Sequence, residues 1–385
     1  SSQGIQVRMT ISIAIPREIR SDEQRVALIP DAASKLSKSG INVSVESDAG
    51  LAIGFNNDDY KDASIAADSA SLFANADIVL AVNPLTLDQI SQLKEGSIVI
   101  GFMNPHADLE RFTAMAERKI SAFSVELIPR ISRAQAMDAL SSQASIAGYK
   151  AVLLAANLLG KFFPMLTTAA GTIRPSKVLI IGAGVAGLQA IATARRLGAM
   201  VEGYDVRAAV KEQVESLGAK FVDIEIKAEG EGGYARELTE EEKQQQQDIL
   251  AKHVAASDVI VTTAAIPGRP APRILSAEMV AAMRGGSVVV DLAAETGGNC
   301  ELTSAGETVL HEGVKIHGPV NVPSMLGNHA SELYAKNLLN FLDLLIKDGE
   351  IAIDLEDEII NESLITHEGQ IHHAGIREQL TGAGS

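Results

Sequence analysis

Short runs of β-branched and aliphatic residues alternate with longer amphipathic stretches from Thr10 onward. The short apolar runs predict buried strands, and the amphipathic stretches predict helices packed against them. In the N-terminal third of the chain, strands are predicted over residues 11–15, 41–46, 78–82, 97–102 and 121–127, with a helix over 30–38. Because strands and helices alternate, these elements predict one complete domain built on a parallel sheet.

A second series of strands begins at Lys177, after a long helical pattern that ends near Leu159. Its strands are predicted over residues 178–181, 200–204, 221–224, 259–262 and 288–292, with 314–317 as an edge strand. The remaining tail contains a helical run over 331–346 and a short strand-like stretch. This tail is too short to form a domain of its own, so we expect it to pack on the first domain.

The two series together predict an α/β protein with two Rossmann-like parallel-sheet domains and a cleft between them. The first domain is predicted over residues 1–143 and is completed by residues 323–385, so that the C-terminal segment returns to it. The second domain is predicted over residues 144–322. A length of 385 residues suits this organisation, since it corresponds to about two or three domains.

Composition and charge narrow the class of protein further. The formal net charge of −16 would repel nucleic acid and anionic lipid surfaces, so we exclude both as direct partners. The lone cysteine, Cys300, excludes an internal disulfide framework, and the scattered histidines lack ligand spacing, so no metal is predicted. The N-terminus lacks a basic-then-apolar signal peptide, and we therefore expect a cytoplasmic or equivalent compartment.

The clearest chemical motif is a set of three glycines, Gly182, Gly184 and Gly187, in GxGxxG spacing. The motif directly follows a predicted strand and precedes a predicted helix, which is the context of dinucleotide-binding loops. The first glycine permits a tight turn, the second lets the backbone approach a pyrophosphate, and the third allows close helix packing. Val185 and Ala186 open the helix, whose N-terminus attracts phosphate charge. The segment therefore predicts a nucleotide-binding site.

The next predicted strand ends at Asp205, where a carboxylate would accept hydrogen bonds from the adenosine ribose hydroxyls. The same charge would repel a 2′-phosphate, which favours NAD(H) over NADP(H). Val206 and Arg207 follow directly, and Arg207 could in principle reverse this preference. A solvated strand end is the simpler alternative interpretation of Asp205.

Two loops of small residues follow later strands of the second series. The first loop contains Thr263, Ala264, Ala265 and Pro267, and the second covers residues 291–298. Open α/β sheets bind ligands at the carboxyl ends of their strands, so we predict that the first loop contributes to the cofactor site. Either loop could instead be a simple strand-ending turn.

Motifs along the whole chain point to one family. The segment 129–142 carries Arg130, Gln135, Asp138 and Ser141. Other motifs follow in order: Arg25-Val-Ala-Leu, Val206-Arg207, Lys211-Glu-Gln-Val, Gly232-Gly233-Tyr234-Ala, Ile266-Pro-Gly and Gly297-Gly-Asn299-Cys300. With them, the chain resembles the NAD(H)-binding domain I of proton-translocating nicotinamide nucleotide transhydrogenase, in the superfamily shared with alanine dehydrogenase. The resemblance covers nearly the whole chain from Met9.

This resemblance implies that NADH bound here passes hydride directly to NADP⁺ held on a partner domain, coupled to proton translocation by a membrane domain. In that family, the residues matching Arg130, Gln135 and Asp138 form a loop beside the nicotinamide, with the serine matching Ser141 nearby. A mobile loop carries the tyrosine matching Tyr234, next to Gly233. The resemblance also implies a homodimer, with an NADP(H)-binding partner domain and a proton-conducting membrane domain that place the chain at the membrane periphery.

Structural alternatives exist for two of these segments. Ser132 and Gln135 have the spacing of a helix capping box, which would give the segment a purely structural role. The glycine-rich stretch around Tyr234 has the composition of an ordinary exposed loop, whereas the resemblance favours a lid that closes on a ligand.

The alternative function is an alanine dehydrogenase-like, NAD-dependent amino-acid dehydrogenase. Arg25 matches one of the substrate-binding arginines of that enzyme. However, residues 81–84 lack the lysine of its motif, and Glu295 stands where the family has a catalytic aspartate. A dehydrogenase of this kind needs cationic groups for a substrate carboxylate and a proton-transfer residue, so these departures favour the transhydrogenase component.

Overall fold

The structure is a computed structural model that describes residues 9–224 and 237–382. It divides into two compact units, one formed by Ser1–Gln143 with Ser324–Ser385 and the other by Ala144–Pro323. The C-terminal segment therefore belongs to the same unit as the N-terminal region of the chain, as predicted. Within the two described ranges, no helix is both long enough and apolar enough to cross a membrane.

The N-terminal region of the chain alternates strands and helices. Its elements are β1 (Ser12–Ile15), α1 (Pro30–Lys38), β2 (Asn42–Glu46), β3 (Ser64–Ala66), α2 (Ser69–Phe73), β4 (Ile78–Leu80), α3 (Leu87–Gln92), β5 (Ile98–Gly101), α4 (Leu109–Glu117), β6 (Ser121–Ser124) and α5 (Ala139–Leu158). Helix α1 begins at Pro30, whose fixed φ suits the first helical position. Helix α3 begins after a capping box between Thr86 and Gln89.

The second unit continues this alternation. Its further elements are β7 (Leu166–Thr168), β8 (Gly171–Ile173), β9 (Lys177–Ile181), α6 (Val185–Arg196), β10 (Met200–Tyr204), α7 (Lys211–Ser216), β11 (Lys220–Phe221), α8 (Glu240–Ala256), β12 (Val259–Thr262), α9 (Ala277–Ala281), β13 (Val288–Asp291), β14 (Thr308–His311) and β15 (Val314–His317). Most of the predicted strands are confirmed within one or two residues, because buried parallel strands carry continuous apolar runs.

The C-terminal segment adds a long helix and several short elements to the first unit. They are α10 (Gly327–Leu345), β16 (Ile346–Lys347), β17 (Glu350–Ile351), α11 (Glu358–Ser363), β18 (Leu364–His367), β19 (Gln370–Ile371) and α12 (Ala374–Leu380). Tyr334, Leu338 and Phe341 of α10 are buried in the core of the first unit together with residues of β1 and β4. The helix therefore completes the core of this unit.

The sheet of the first unit has the strand order β19-β18-β6-β5-β4-β1-β2-β3. β1 pairs in parallel with both β2 and β4, although only β2 follows it directly in the chain. The strand order therefore reverses between β1 and β4, which makes this the switch point where open α/β sheets form a crevice. β18 pairs antiparallel with β6 and β19, so the C-terminal segment extends this sheet.

The sheet of the second unit has the order β11-β10-β9-β12-β13-β15-β14, with its switch point between β9 and β12. Its centre is apolar, and Val288, Val289 and Val290 of β13 are fully buried. The strand predicted at 314–317 is confirmed as β15, but its predicted place at the edge of the sheet is wrong, because β15 lies between β13 and the antiparallel β14. β14 has the mixed sequence Thr-Val-Leu-His with no buried residue, so it lacks the longer apolar run by which the other strands are predicted.

Candidate nucleotide-binding site

The turn between β9 and α6 requires glycine at two of its three motif positions. Gly182 has a φ of +97°, and a Cβ there would lie 2.4 Å from the Thr263 hydroxyl oxygen. A Cβ on Gly187 would lie 1.6 Å from the carbonyl oxygen of Gly182, so α6 packs directly on the turn. These two residues fold the strand sharply into the helix, as the motif predicts.

Gly184 is different, because nothing lies within 4 Å of the position where its Cβ would be. It is the N-cap of α6, and both Gly184 and Val185 are exposed. The first backbone N–H groups of a helix have no partner within it, so this open space lies next to donors suited to a phosphate. Ala186 lies behind them, and its carbonyl oxygen is 2.1 Å from a Cβ built on Gly148, so α5 packs closely on this end of α6.

Asp205 directly follows β10, and its carboxylate is bound to its own chain. One oxygen accepts hydrogen bonds from Ala183 N–H (2.8 Å) and Arg207 Nη2 (3.0 Å), and the other from Arg207 N–H (2.8 Å) and Nε (3.0 Å). Burial opposes ionisation, yet the hydrogen bonds from Arg207 and Ala183 lower the pKa of Asp205. The carboxylate is therefore ionised at neutral pH and is covered by the side chain of Arg207. Arg207 and Val206 are themselves both exposed, Val206 to 82%.

The loop after β12 joins the glycine turn at the switch point of this sheet. The Thr263 hydroxyl lies within hydrogen-bond distance of the carbonyl oxygens of Ile181 (3.2 Å) and Gly182 (3.0 Å). Because it has a single proton, it donates to one of them at a time. Ala264 is partly buried, and Ala265 and Pro267 are exposed. The structure therefore brings the predicted loop against the glycine turn within the second unit.

Two residues of this site did not receive a role from the sequence. Asp291, at the end of β13, accepts the Thr262 hydroxyl at 2.9 Å and the Thr303 hydroxyl at 2.6 Å. Asn299 is fully buried. Its side chain accepts the N–H of Ala264 at 3.0 Å and donates to the carbonyl oxygen of Ala264 at 2.8 Å. The only signal in the sequence was an asparagine directly after a glycine pair. Its burial and its partners, which are distant in the chain, could not be predicted from that signal.

The segment around Arg130 and Gln135 belongs to the first unit. Arg130 and Gln135 are both exposed, and residues Ser132–Met137 form a short 3-10 helix. Its N-cap is Ile131, without a side-chain cap, so the capping-box interpretation of Ser132 and Gln135 is wrong. Instead Asp138 caps α5, since its carboxylate accepts the backbone N–H of Ser141 at 2.9 Å and the Ser141 hydroxyl at 2.6 Å. Asp138 and Ser141 are therefore brought together at the start of α5, and Arg130 and Gln135 are exposed residues of the segment that precedes it.

The remaining residues that the sequence analysis singled out are Gly233, Tyr234 and Glu295. Gly233 and Tyr234, and with them the predicted lid, lie outside the described residues. Glu295 is exposed and accepts the backbone N–H of Asn321 at 2.6 Å. This contact ties the loop after β13 to the end of the second unit.

A polar cluster fills the switch point of the first unit. Asn83, which follows β4, donates to Glu18 through its backbone (2.8 Å) and side chain (3.0 Å), and also to Glu23 (2.9 Å). Glu23 forms a buried ion pair with Arg25 at 2.7 Å, and Arg25 donates to Gln143 at 3.0 Å. Burial raises the pKa of Glu18 to about 7. Burial acts in the same direction on Glu23, but hydrogen bonds and charge from Arg25 lower its pKa to about 2.

Two parallel α/β units, one with a glycine fingerprint at its switch point, define a protein of the dinucleotide-binding class. Two family models match the chain in succession. The alanine dehydrogenase/PNT N-terminal domain matches residues 14–147, and the alanine dehydrogenase/PNT C-terminal domain matches residues 151–374. The chain therefore belongs to the alanine dehydrogenase/PNT family.

Comparison with individual relatives shows that the chain is more similar to the transhydrogenases of this family than to its alanine dehydrogenases. The chain is 45% identical over 388 aligned positions to an NAD(P) transhydrogenase alpha-subunit chain of Rhodospirillum rubrum, covering 97% of this chain and all of that protein. A crystal structure of transhydrogenase from Sinorhizobium meliloti is 41% identical, with a TM-score of 0.84 over 94% of this chain and 99% of that one. Alanine dehydrogenase 2 of Staphylococcus aureus is 26% identical over 96% of both chains. Within its family, the chain groups with the transhydrogenase alpha subunits.

Proposed function

We propose that this chain is the NAD(H)-binding component of a proton-translocating transhydrogenase. NADH bound here passes hydride directly to NADP⁺ held on a partner domain, and a membrane domain couples the transfer to proton translocation. The observation that carries the proposal is the glycine turn beside Asp205, on a chain 45% identical to a transhydrogenase alpha subunit.

The residues of the second unit suit NAD(H). The open side of Gly184 and the N-terminus of α6 would receive the pyrophosphate, with Val185 and Ala186 supplying backbone N–H groups. The ionised carboxylate of Asp205 would accept the adenosine ribose hydroxyls, flanked by Val206 and Arg207. The nicotinamide half of the dinucleotide would lie along the loop that contains Thr263, Ala264, Ala265 and Pro267.

The bound nicotinamide supplies the hydride chemistry, and this chain's residues would orient the ring and keep it dry. Transfer between two nicotinamide rings depends on alignment and close approach, not on a general acid or base. Arg130 and Gln135 are exposed, and Asp138 is held by Ser141, so this group would fix the carboxamide and the ring orientation. Tyr234, with Gly233, would close over the nucleotide and exclude water.

The relatives named as transhydrogenase alpha subunits also support a complex with other transhydrogenase components. In our proposal these are an NADP(H)-binding domain and a proton-conducting membrane domain. The chain itself would form a homodimer on the cytoplasmic side, or the equivalent side, of the membrane.

An amino-acid dehydrogenase is less well supported. The relative named as an alanine dehydrogenase is only 26% identical. The guanidinium of Arg25, which matches a substrate-binding arginine of that enzyme, is engaged by Glu23 and Gln143 of the same chain. An incoming substrate carboxylate would have to displace these contacts.

The direct test is transfer of an isotopic label. The chain is mixed with an NADP(H)-binding transhydrogenase domain, NADP⁺ and NADH deuterated at the transferable C4 position, and NADPH is isolated for mass spectrometry. We expect deuterium in NADPH without exchange into solvent. Unlabelled NADPH, or NADH consumption that occurs only with pyruvate and ammonium, would overturn the proposal in favour of the dehydrogenase.

A further inference from the structure

The loop after β12 is exposed, so burial alone does not determine its shape. Residues 265–270 all lie at the surface, although Thr263 and Ala264 at its start pack towards the glycine turn. An exposed loop that keeps one conformation needs tethers, because ordering a residue's backbone costs conformational entropy. The structure contains such a tether in Asn299.

Asn299 directs both the donors and the acceptor of its side chain at this loop. Its amide nitrogen donates to the carbonyl oxygens of Ala264 at 2.8 Å and Pro272 at 2.9 Å, and its amide oxygen accepts the N–H of Ala264 at 3.0 Å. The backbone carbonyl of Asn299 accepts from Ile274 at 2.8 Å and Leu275 at 3.0 Å. One fully buried residue therefore fastens both ends of the loop.

Asp291 holds Asn299 in place in turn. Its carboxylate accepts the N–H of Cys300 at 3.0 Å and the Thr303 hydroxyl at 2.6 Å. Gly298 precedes Asn299 with a φ of +85°, and a Cβ there would lie 2.9 Å from a carboxylate oxygen of Asp291. The main chain around Asn299 is consequently locked between the end of β13 and the loop.

From this geometry we infer that Asn299 is a positioning residue that holds the loop over residues 264–275 in the shape that receives the nicotinamide half of the nucleotide. The inference rests on the proposed function. A dinucleotide crosses the switch point with one nucleotide on each half of the sheet. The glycine turn and Asp205 serve the adenosine half, which leaves the loop after β12 for the other half.

The test compares NADH with AMP, which lacks the nicotinamide half. In Asn299→Ala, a loop that is correctly shaped only a tenth of the time raises the apparent Kd for NADH about tenfold. The Kd for AMP should stay within about twofold, since the glycine turn and Asp205 are unchanged. Isothermal titration calorimetry on the full chain measures both constants.

Asp258→Ala is the matched control. Asp258 is also buried in the second unit and also joins two segments, accepting Lys177 N–H at 2.9 Å and Lys161 Nζ at 3.0 Å, but it lies at the amino end of β12. Its replacement should lower the unfolding midpoint and leave both constants unchanged. If Asn299→Ala does not fold, Asn299→Ser keeps one hydroxyl and should show the same selective loss, smaller in size.

Each outcome decides the question. A selective loss of NADH affinity supports the role of Asn299, whereas unchanged NADH binding, or an equal loss of NADH and AMP, overturns it. Wild-type protein that binds neither nucleotide would overturn the proposed function itself. The two failures are therefore distinguishable in one set of titrations.

Discussion

The carboxylate of Asp205 is the residue on which cofactor choice depends. It accepts four hydrogen bonds from the chain, three of them from the neighbouring Arg207. The side chain of Arg207 is 60% exposed, so its guanidinium can swing into solvent at little cost when a ribose takes its place on the carboxylate. The backbone N–H groups of Ala183 and Arg207 still hold the carboxylate in that case.

Asp205→Ala should weaken NADH binding by about 1–3 kcal/mol, because the ribose hydroxyls lose a charged acceptor. NADPH binding should weaken far less, since the carboxylate no longer repels its 2′-phosphate. Arg207→Ala keeps the carboxylate and should bind NADH within about twofold of wild type. Calorimetric titration of both nucleotides measures this, and equal losses for NADH and NADPH would rule out a role in discrimination.

Glu18 should make stability depend on pH. Its pKa is raised to about 7 from an ordinary 4.5, so the folded protein holds a proton that the unfolded chain has lost between these values. The contribution of Glu18 to the free energy of unfolding therefore falls as pH rises from 4.5 to 7, by up to about 3 kcal/mol.

Glu18→Gln mimics the protonated side chain and should flatten the decline of the unfolding midpoint between pH 5 and pH 7.5, roughly the window set by that pKa. Thermal unfolding followed by circular dichroism measures the slope. Glu46→Gln is the control, since it also removes a carboxylate that accepts a backbone N–H, that of Arg17 at 3.1 Å. An unchanged slope in Glu18→Gln would refute the assignment.

At the scale of elements, two glycines of the turn from β9 into α6 have different roles, since Gly187 is required by the fold and Gly184 by the proposed binding site. Gly187→Ala places a methyl group against the carbonyl of Gly182 and should lower stability by about 1–3 kcal/mol or more. Gly184→Ala has no such clash and a φ of −76°, so the fold should tolerate it.

The new methyl group of Gly184→Ala would still occupy the space assigned to the pyrophosphate, and NADH binding should weaken about tenfold or more. Unfolding midpoints and NADH titrations of the two variants measure the contrast. If Gly184→Ala binds NADH like wild type, the pyrophosphate does not lie where we place it.

The short helix Ser132–Met137 and the start of α5 also allow effects on hydride transfer to be distinguished from effects on stability. Gln135 is exposed and does not cap a helix, whereas Asp138 caps α5 through Ser141. Gln135→Ala should therefore leave the unfolding midpoint unchanged and slow hydride transfer to an NADP⁺-loaded partner about tenfold or more, because misalignment costs most in the transition state.

Single-turnover stopped flow measures this transfer rate, and calorimetry measures the accompanying change in NADH affinity, which should be smaller. Asp138→Ala is the comparison, since it should lower both stability and rate through loss of the cap. A Gln135→Ala protein with a wild-type transfer rate would remove this residue from the site.

For the whole molecule, we predict a homodimer whose contact includes the hairpin of β7 and β8. Met165 and Ile173 are 62% and 47% exposed there, next to Phe162 at 52%, and exposed apolar groups of this kind often mark interfaces. Ile173→Glu should shift the protein towards monomer in sedimentation velocity. Lys347→Glu, which introduces a glutamate at an exposed position of β16 in the first unit, serves as a control; a monomeric wild-type protein would contradict the prediction.

Patterns within short segments determine much of this protein by sequence alone. The apolar runs of β9, β10, β12 and β13, the helix opened by Pro30, and the glycine spacing are all evident without the fold. Each depends on interactions between residues that are near in the chain, such as turn geometry and helix capping, or on burial of a continuous apolar run.

Tertiary structure decided the features that depend on partners distant in sequence. Asn299 and Asp291 became recognisable only when folding brought them to the loop after β12, and β14, β18 and β19 gain their pairing from neighbouring strands rather than from their own sequences. Asp138, not Ser132, caps α5, because the chain enters that helix through a 3-10 turn. Hydrogen bonds between distant segments leave no period in the sequence, so only the folded chain shows which polar residues they join.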